Sequence, residues 1–195
     1  MSFPIVILAG GKSTRMGREK PVLKIAGREM LLWVYGAASR IGETTVALSK
    51  NTPKTRELCI REGIPFIETP RKGYVEDVQW LLKEFGPFVS SSADIPFVTP
   101  SDFYAIEKAF DGKTSLTGVL PLEKVPKDFN PLVYKGYAIV GLNAVGFEGE
   151  RFFELENPLL ALNVNTPEDL KLAGRIAGLM KPKNTRKSRR SLEKN

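Results

Sequence analysis

Short β-branched runs alternate with amphipathic stretches through the first 110 residues, and this alternation restricts the chain to a small set of folds. PIVILA (4–9) is a continuous apolar run ending at paired glycines, the pattern of a strand buried on both faces. REMLLWVYGAASR (28–40) carries Met30, Trp33, Val34 and Ala37 at helical spacing. TTVALS (44–49) reads as a strand, and PKTRELCIREG (53–63) as a helix with Pro at its start and Gly at its end. PFIET (65–69) is a strand before the helix YVEDVQWLLKEF (74–85). PFVSSSAD (87–94) is a strand with a polar end before the helix PSDFYAIEKAF (100–110). Such a βαβαβαβα rhythm predicts a mostly parallel sheet with helices on both faces, a three-layer α/β/α, Rossmann-like architecture.

Beyond residue 112 the rhythm loosens. SLTGVLPL (115–122) and YAIVGLNAVG (137–146) read as strands, separated by the Pro- and Lys-rich KVPKDFNP (124–131). LLALNVN (159–165) reads as a strand leading into the helix TPEDLKLAGRIAGLM (166–180), which Thr166 and Asp169 cap. A chain of 195 residues buries one sizeable core, so a single α/β domain is expected over residues 1–180.

Two counts exclude much chemistry. Histidine is absent and Cys59 is the one cysteine, so no Ser-His-Asp or Cys-His nucleophile, imidazole base, Cys/His zinc site or internal disulfide can be built. Cys59 itself, in ELCIREG, reads as a buried helix position. The net charge of +7 is uneven: residues 181–195 hold four Lys and three Arg against one Glu, a net of +6, which leaves +1 for residues 1–180. With Leu192 its one strongly apolar residue, this stretch reads as a solvated, disordered tail rather than a nucleic-acid-binding element. The first apolar run is about a third of the ~20 residues that a membrane span needs. No leader or span is expected, and the protein is read as soluble and cytoplasmic.

In an open parallel sheet, ligands bind beyond the carboxyl ends of the strands. The stretch after the first strand is LAGGKSTRMGREKP (8–21). Gly10 and Gly11 let backbone N–H groups approach an anion. Ser13 and Thr14 add hydroxyls, and Lys12, Arg15, Arg18 and Lys20 bring four cations within nine residues. That density of donors suits a polyphosphate. It is not a P-loop, whose first glycine would fall on Val6, nor a G-x-G-x-x-G turn. Asp94 ends the fourth strand and should project beside this loop, where a carboxylate next to phosphates points to Mg²⁺. Asn163 and Asn165 share one facing by period-two alternation at a strand end, and one of them could complete the metal shell. Asn51 after the second strand, and Glu68, Gly73 and Asp77 after the third, are candidates for base recognition.

These residues resemble a known family. LAGGKSTRMGREKP is similar to the signature L-A-G-G-x-S-x-R-M-G-x-x-K of nucleoside-triphosphate transferases related to the molybdenum cofactor guanylyltransferases, and NVNTPEDL is similar to that family's late motif. Within it, NTPKT, KGYVED, the strand leading to Asp94, the GLN at 141–143 and NVNTPEDLKLA most resemble the archaeal GTP:adenosylcobinamide-phosphate guanylyltransferases, over residues 4–177. The resemblance implies the nucleotide-diphospho-sugar transferase type of fold. It implies that Leu8, Ala9, Gly10, Gly11 and Ser13 hold the nucleotide, with Asn51, Glu68 and Gly73 at further contacting positions. It also implies that Arg15 and Lys20 meet the phosphates and that Asp94, with Asn165, binds Mg²⁺. The implied reaction transfers GMP from GTP to a phosphorylated acceptor, adenosylcobinamide phosphate, with release of pyrophosphate, in a monomer or homodimer. Molybdopterin or a sugar phosphate is the alternative acceptor, and a regulatory GTP-binding module without catalysis is the alternative class.

Overall fold

The computed structural model describes residues 2–11, 16–70 and 73–180. In chain order these form β1 (Ile5–Leu8), β2 (Lys24–Ile25), β3 (Arg28–Glu29), α1 (Met30–Ala38), β4 (Thr44–Leu48), α2 (Pro53–Glu62), β5 (Phe66–Glu68) and α3 (Tyr74–Phe85). They continue as β6 (Phe88–Ser92), α4 (Pro100–Ala109), β7 (Thr114–Pro121), β8 (Leu132–Tyr134), β9 (Tyr137–Val145), β10 (Glu148–Glu154) and α5 (Pro167–Met180).

The main sheet runs β10-β7-β9-β6-β1-β4-β5, with β8 paired to β9 at one side of this path. β5, β4, β1 and β6 are parallel neighbours, as are β10 and β7, whereas β9 runs antiparallel to β6, β7 and β8. The mostly parallel sheet expected from the sequence is therefore present, with one reversed strand at its centre.

Period-two alternation sorts the core. Ile5, Ile7, Val46, Leu48 and Val89 face α1, α2 and α4, where they pack with Leu31, Val34, Leu58, Cys59, Phe103 and Ile106. Val6, Ala47 and Phe88 face the opposite way, onto Leu81, Val78, Trp80 and Phe85 of α3. α5 lies elsewhere, its Ala173 and Ala177 packing with Ile25, Met30, Phe97 and Val164 beside the β2–β3 hairpin. α4 starts with a full capping box between Thr99 and Asp102 and Pro at its first position. Cys59 is fully buried on α2, which pushes its thiol up to about 11 and keeps it protonated and inert. No described helix is long and apolar enough to cross a membrane.

Two expectations need correction. Residues 159–165 are not a strand: Pro158–Ala161 is a 3-10 turn capped by the Asn157 side chain, and an unpaired extended segment follows. Its apolar run reflects burial of Leu160, Leu162 and Val164 rather than sheet pairing. β10 and β8 were not expected at all. Both show mainly exposed side chains, so neither leaves the hydrophobic alternation that marks an interior strand.

Candidate active site

The site is set by the sheet order. β1 pairs with β4 on one side and β6 on the other, so the loops leaving β1 and β6 diverge from the point where the winding reverses. Leu8 lies opposite Ser92, and Ala93 N–H donates to Leu8 O (3.2 Å). The segment after β1 returns through a 3-10 turn, Lys20–Val22, whose Pro21 is buried. From this turn Lys20 Nζ contacts Asp94 Oδ2 and also donates to Asn165 Oδ1 at 3.0 Å. The Lys20 and Asp94 side chains retain 19% and 13% of their exposure, so the pair is largely withdrawn from bulk water. The Ser92 hydroxyl donates to Asp94 Oδ1 and fixes the carboxylate from behind.

Asn165 reaches this point by a different route from the one expected. Val164 N–H donates to Asp94 O at 2.9 Å, which lays residues 162–165 along the turn after β6. The N–H groups of Asn165 and Thr166 both donate to Asp169 Oδ2 (2.9 and 2.8 Å), and Asp169 N–H donates back to Thr166 Oγ1 (3.1 Å). The helix cap expected at Thr166 and Asp169 therefore also anchors Asn165. Without a strand here, period-two facing does not apply. Asn165 Oδ1 meets Lys20, while Asn163 Oδ1 is buried with no hydrogen-bond partner among the described residues.

Beside this cluster, under the first turns of α3, lies a cavity of about 560 Å³. Leu8, Ala47, Val78 and Leu81 form its apolar floor, and Asn51, Thr69, Asp77 and Asn143 supply polar groups. A second pocket of about 90 Å³, lined by Ala9, Lys20, Pro21 and Asp94, shares Leu8, Gly11 and Ser92 with the first. An apolar slot thus opens directly onto a charged corner.

Most of the expected positions meet here. Leu8, Gly10, Gly11, Asn51 and Gly73 line the larger cavity, and Ala9, Lys20 and Asp94 the smaller. A Cβ on Gly10 would sit 3.3 Å from Ser49 Cβ, whereas one on Gly11 would meet nothing within 4 Å. Gly10 thus sits close against the end of β4, where a side chain would need Ser49 to give slightly, and Gly11 faces open space. Gly73, with φ of 150°, leads into α3 in a conformation that L side chains rarely adopt, and a Cβ there would run into the Glu76 carboxylate. Glu68 is turned away: Arg56 Nε holds it at 3.2 Å on the surface, and its neighbour Thr69 lines the cavity instead. Arg15 and Ser13 lie outside the described residues.

The MobA-like NTP transferase domain matches residues 5–144. The chain belongs to the MobA-like NTP transferase domain family. It is 34% identical over 187 residues to adenosylcobinamide-phosphate guanylyltransferase of Methanocaldococcus jannaschii, an alignment spanning 86% of this chain and 94% of the relative. The fold is shared with molybdopterin-guanine dinucleotide biosynthesis protein A from Archaeoglobus fulgidus (TM-score 0.69, 20% identity, 91% of this chain and 100% of that one). A nucleotidyl transferase from Methanothermobacter thermautotroptrophicus shows the same likeness (TM-score 0.69, 16% identity, 91% and 99%).

For a MobA-like NTP transferase domain the donor set at the charged corner is informative. Asp94 Oδ2 and Asn165 Oδ1, two hard oxygens, converge on one cationic point, the Lys20 ammonium. Among the described residues no three of His, Cys, Asp and Glu gather as a metal cage. Such a site fits a hard divalent ion that takes its remaining ligands from phosphate and water, and not a permanently caged metal. In this MobA-like chain Ser92, Thr69, Tyr74 and Asn143 also line the cavity, though the sequence assigns none of them a site role. Ser92 is one of three consecutive serines, none of which stands out from the others, and Asn143 accepts Gly118 N–H at 3.1 Å between β7 and β9.

Proposed function

We propose that the protein transfers the guanylyl group of GTP to the phosphate of adenosylcobinamide phosphate, giving adenosylcobinamide-GDP and pyrophosphate. The reading is carried by the meeting of Lys20, Asp94 and Asn165 beside a cavity roomy enough for a nucleoside. The Methanocaldococcus jannaschii relative, aligned over nearly its whole length, supports the choice of acceptor. The base lies on Leu8, Ala47, Val78 and Leu81, the backbone of Leu8, Ala9, Gly10 and Gly11 with Ser13 holds the nucleoside and first phosphate, and Asn51 and Gly73 close the cavity. Asp77, on the cavity wall with Thr69 Oγ1 donating to its Oδ2 at 3.0 Å, accepts from the N1–H and N2–H₂ of guanine. Glu68 has no part in this reading.

An oxygen of the acceptor's phosphate attacks the α-phosphorus of GTP in line. A new P–O bond forms, the bond from the α-phosphorus to the oxygen bridging to the β-phosphate breaks, and its electron pair leaves with pyrophosphate. The attacking monoester is already ionised at pH 7, so the absence of histidine is no obstacle. Lys20 and Arg15 neutralise charge on the phosphates as the bond to the leaving group lengthens. Asp94 and Asn165 would hold Mg²⁺, which supplies Lewis-acid polarisation of the phosphates when bound. Lys20 carries three donors, which it would turn to the phosphates once the Asp94 and Asn165 oxygens are given to the ion.

The test is a panel. The protein with GTP and Mg²⁺ is offered adenosylcobinamide phosphate, molybdopterin and several sugar phosphates, and pyrophosphate release is followed with product mass. Turnover with adenosylcobinamide phosphate and GTP, but not with ATP, CTP or UTP, is the expected result. Turnover with a different acceptor alone would overturn the assignment, and GTP bound without any turnover would favour a regulatory module.

A further inference from the structure

Helix α2 is capped by a residue that precedes it by more than thirty positions. Pro53 at the first helical position has no N–H, which leaves those of Lys54 and Thr55 to be satisfied. The residue in the cap position, Thr52, cannot serve them: its hydroxyl donates to Ser49 O (2.9 Å) and accepts from Ser49 N–H (3.3 Å). Glu19 takes both places. Its Oε1 accepts from Lys54 N–H (3.0 Å), and its Oε2 from Thr55 N–H (2.8 Å) and the buried Thr55 hydroxyl (2.7 Å). A carboxylate at a helix N-terminus is also favoured by the helix dipole.

Glu19 is adjacent in sequence to Lys20, and it stands between two cations in REK. The loop's other end is tied to the same segment, since Ser49 Oγ donates to Gly10 O at 2.7 Å and accepts from Asn51 N–H at 3.2 Å. Both ends of the basic loop are therefore fastened to the β4–α2 connection that carries Asn51. With the Glu19 side chain fastened to α2, the next residue, Lys20, extends across the pocket onto Asp94 and Asn165.

We propose that Glu19 is a positioning residue for Lys20, a latch that converts the N-terminus of α2 into an anchor for the phosphate-contacting end of the loop. The kinetic consequence rests on the transfer reading above; the placement of Lys20 does not. Steady-state transfer is measured for full-length Glu19→Ala, Glu19→Gln, Lys20→Ala and the Glu19→Ala/Lys20→Ala double variant. Glu19→Ala is expected to lower kcat at least tenfold with the KM for GTP within threefold, and Glu19→Gln, which keeps one acceptor oxygen, to recover part of it. The double variant is expected to be no slower than Lys20→Ala alone, because the latch acts through Lys20. Losses that multiply, or a Glu19→Ala kcat near that of the unaltered protein, would overturn the latch. Should Glu19→Ala fold poorly, Thr55→Val removes one of the three bonds and is expected to give a smaller loss in the same direction; an unchanged kcat counts against the latch. ¹⁵N NMR of the Lys20 ammonium, assigned with Lys20→Ala, reads placement without turnover. The signal is expected to broaden or vanish in Glu19→Ala, and an unaltered signal overturns the latch. Turnover by no acceptor would sink the transfer reading and leave the NMR result to decide the latch.

Discussion

Lys20 and Asp94 are each other's counter-ion in a position only partly open to water, so removing either strands the other. Lys20→Ala and Asp94→Ala are each expected to lower guanylyl transfer by about 100-fold or more, the order seen when a preorganised electrostatic group is lost. Each deletion strands a charge largely withdrawn from water at a cost of about 3 kcal/mol, so melting should fall by ~6–12 °C. Rates near those of the unaltered protein would remove the residue from the mechanism. Asp77 offers a sharper outcome. Xanthosine triphosphate carries a carbonyl where guanine carries the 2-amino group, so Asp77→Asn should lose ~10- to 100-fold in kcat/KM for GTP, equivalent to about 1–3 kcal/mol, and gain activity with xanthosine triphosphate. A variant that keeps its GTP preference would place the base elsewhere. At this scale the sequence was informative where a residue type is itself unusual: paired glycines, a cation cluster, an acid after an apolar strand. It was silent where function depends on a distant partner. Nothing local in REK marks Glu19 as a helix cap, and nothing in FIET shows that Arg56 draws Glu68 outward while Thr69 turns in.

At the level of elements, the interior strands were legible because burial on both faces leaves continuous apolar runs, as in Ile5–Leu8 of β1 and Val46–Leu48 of β4. β10 was not, since an edge strand rich in Glu and Arg carries no such run. The stretch at 159–165 misled for the converse reason: it is buried but unpaired. Its position depends on Asp102, a nearly buried acid that accepts from Thr99 N–H (2.8 Å), the Thr99 hydroxyl (2.7 Å) and Asn157 Nδ2 (2.8 Å). Asp102 thus starts α4 and pins the turn leading to Asn165. Asp102→Ala would leave three donors unmatched and should cost about 2–3 kcal/mol in chemical denaturation, given the penalty for orphaned buried groups. Loss of less than ~0.5 kcal/mol would show that water replaces the carboxylate.

For the molecule as a whole, the alternating rhythm was enough to foresee a mostly parallel sheet, because connection handedness leaves few ways to wind such a chain, and the candidate site lies at its carboxyl edge. The reversal at β9 was not foreseeable, since YAIVGLNAV is apolar at nearly every position and the alternation of its burial leaves little trace in residue type. The basic stretch at 181–195 lies outside the described residues. Deleting it should leave transfer rates within about twofold while abolishing any salt-dependent adsorption to RNA, measured by filter binding across a salt series. A large loss of transfer would instead tie the tail to the reaction. Finally, three helices cover one face of the sheet, but on the other α3 has Leu81 as its one fully buried side chain and stands over the cavity. On the proposed reading the purine is a removable piece of the molecule's own interior. Saturating GTP should therefore raise the melting temperature through preferential binding to the native state, about 2.7 kcal/mol at a hundredfold excess over Kd. Heating the protein with and without nucleotide would show whether substrate finishes the packing that the polypeptide leaves open.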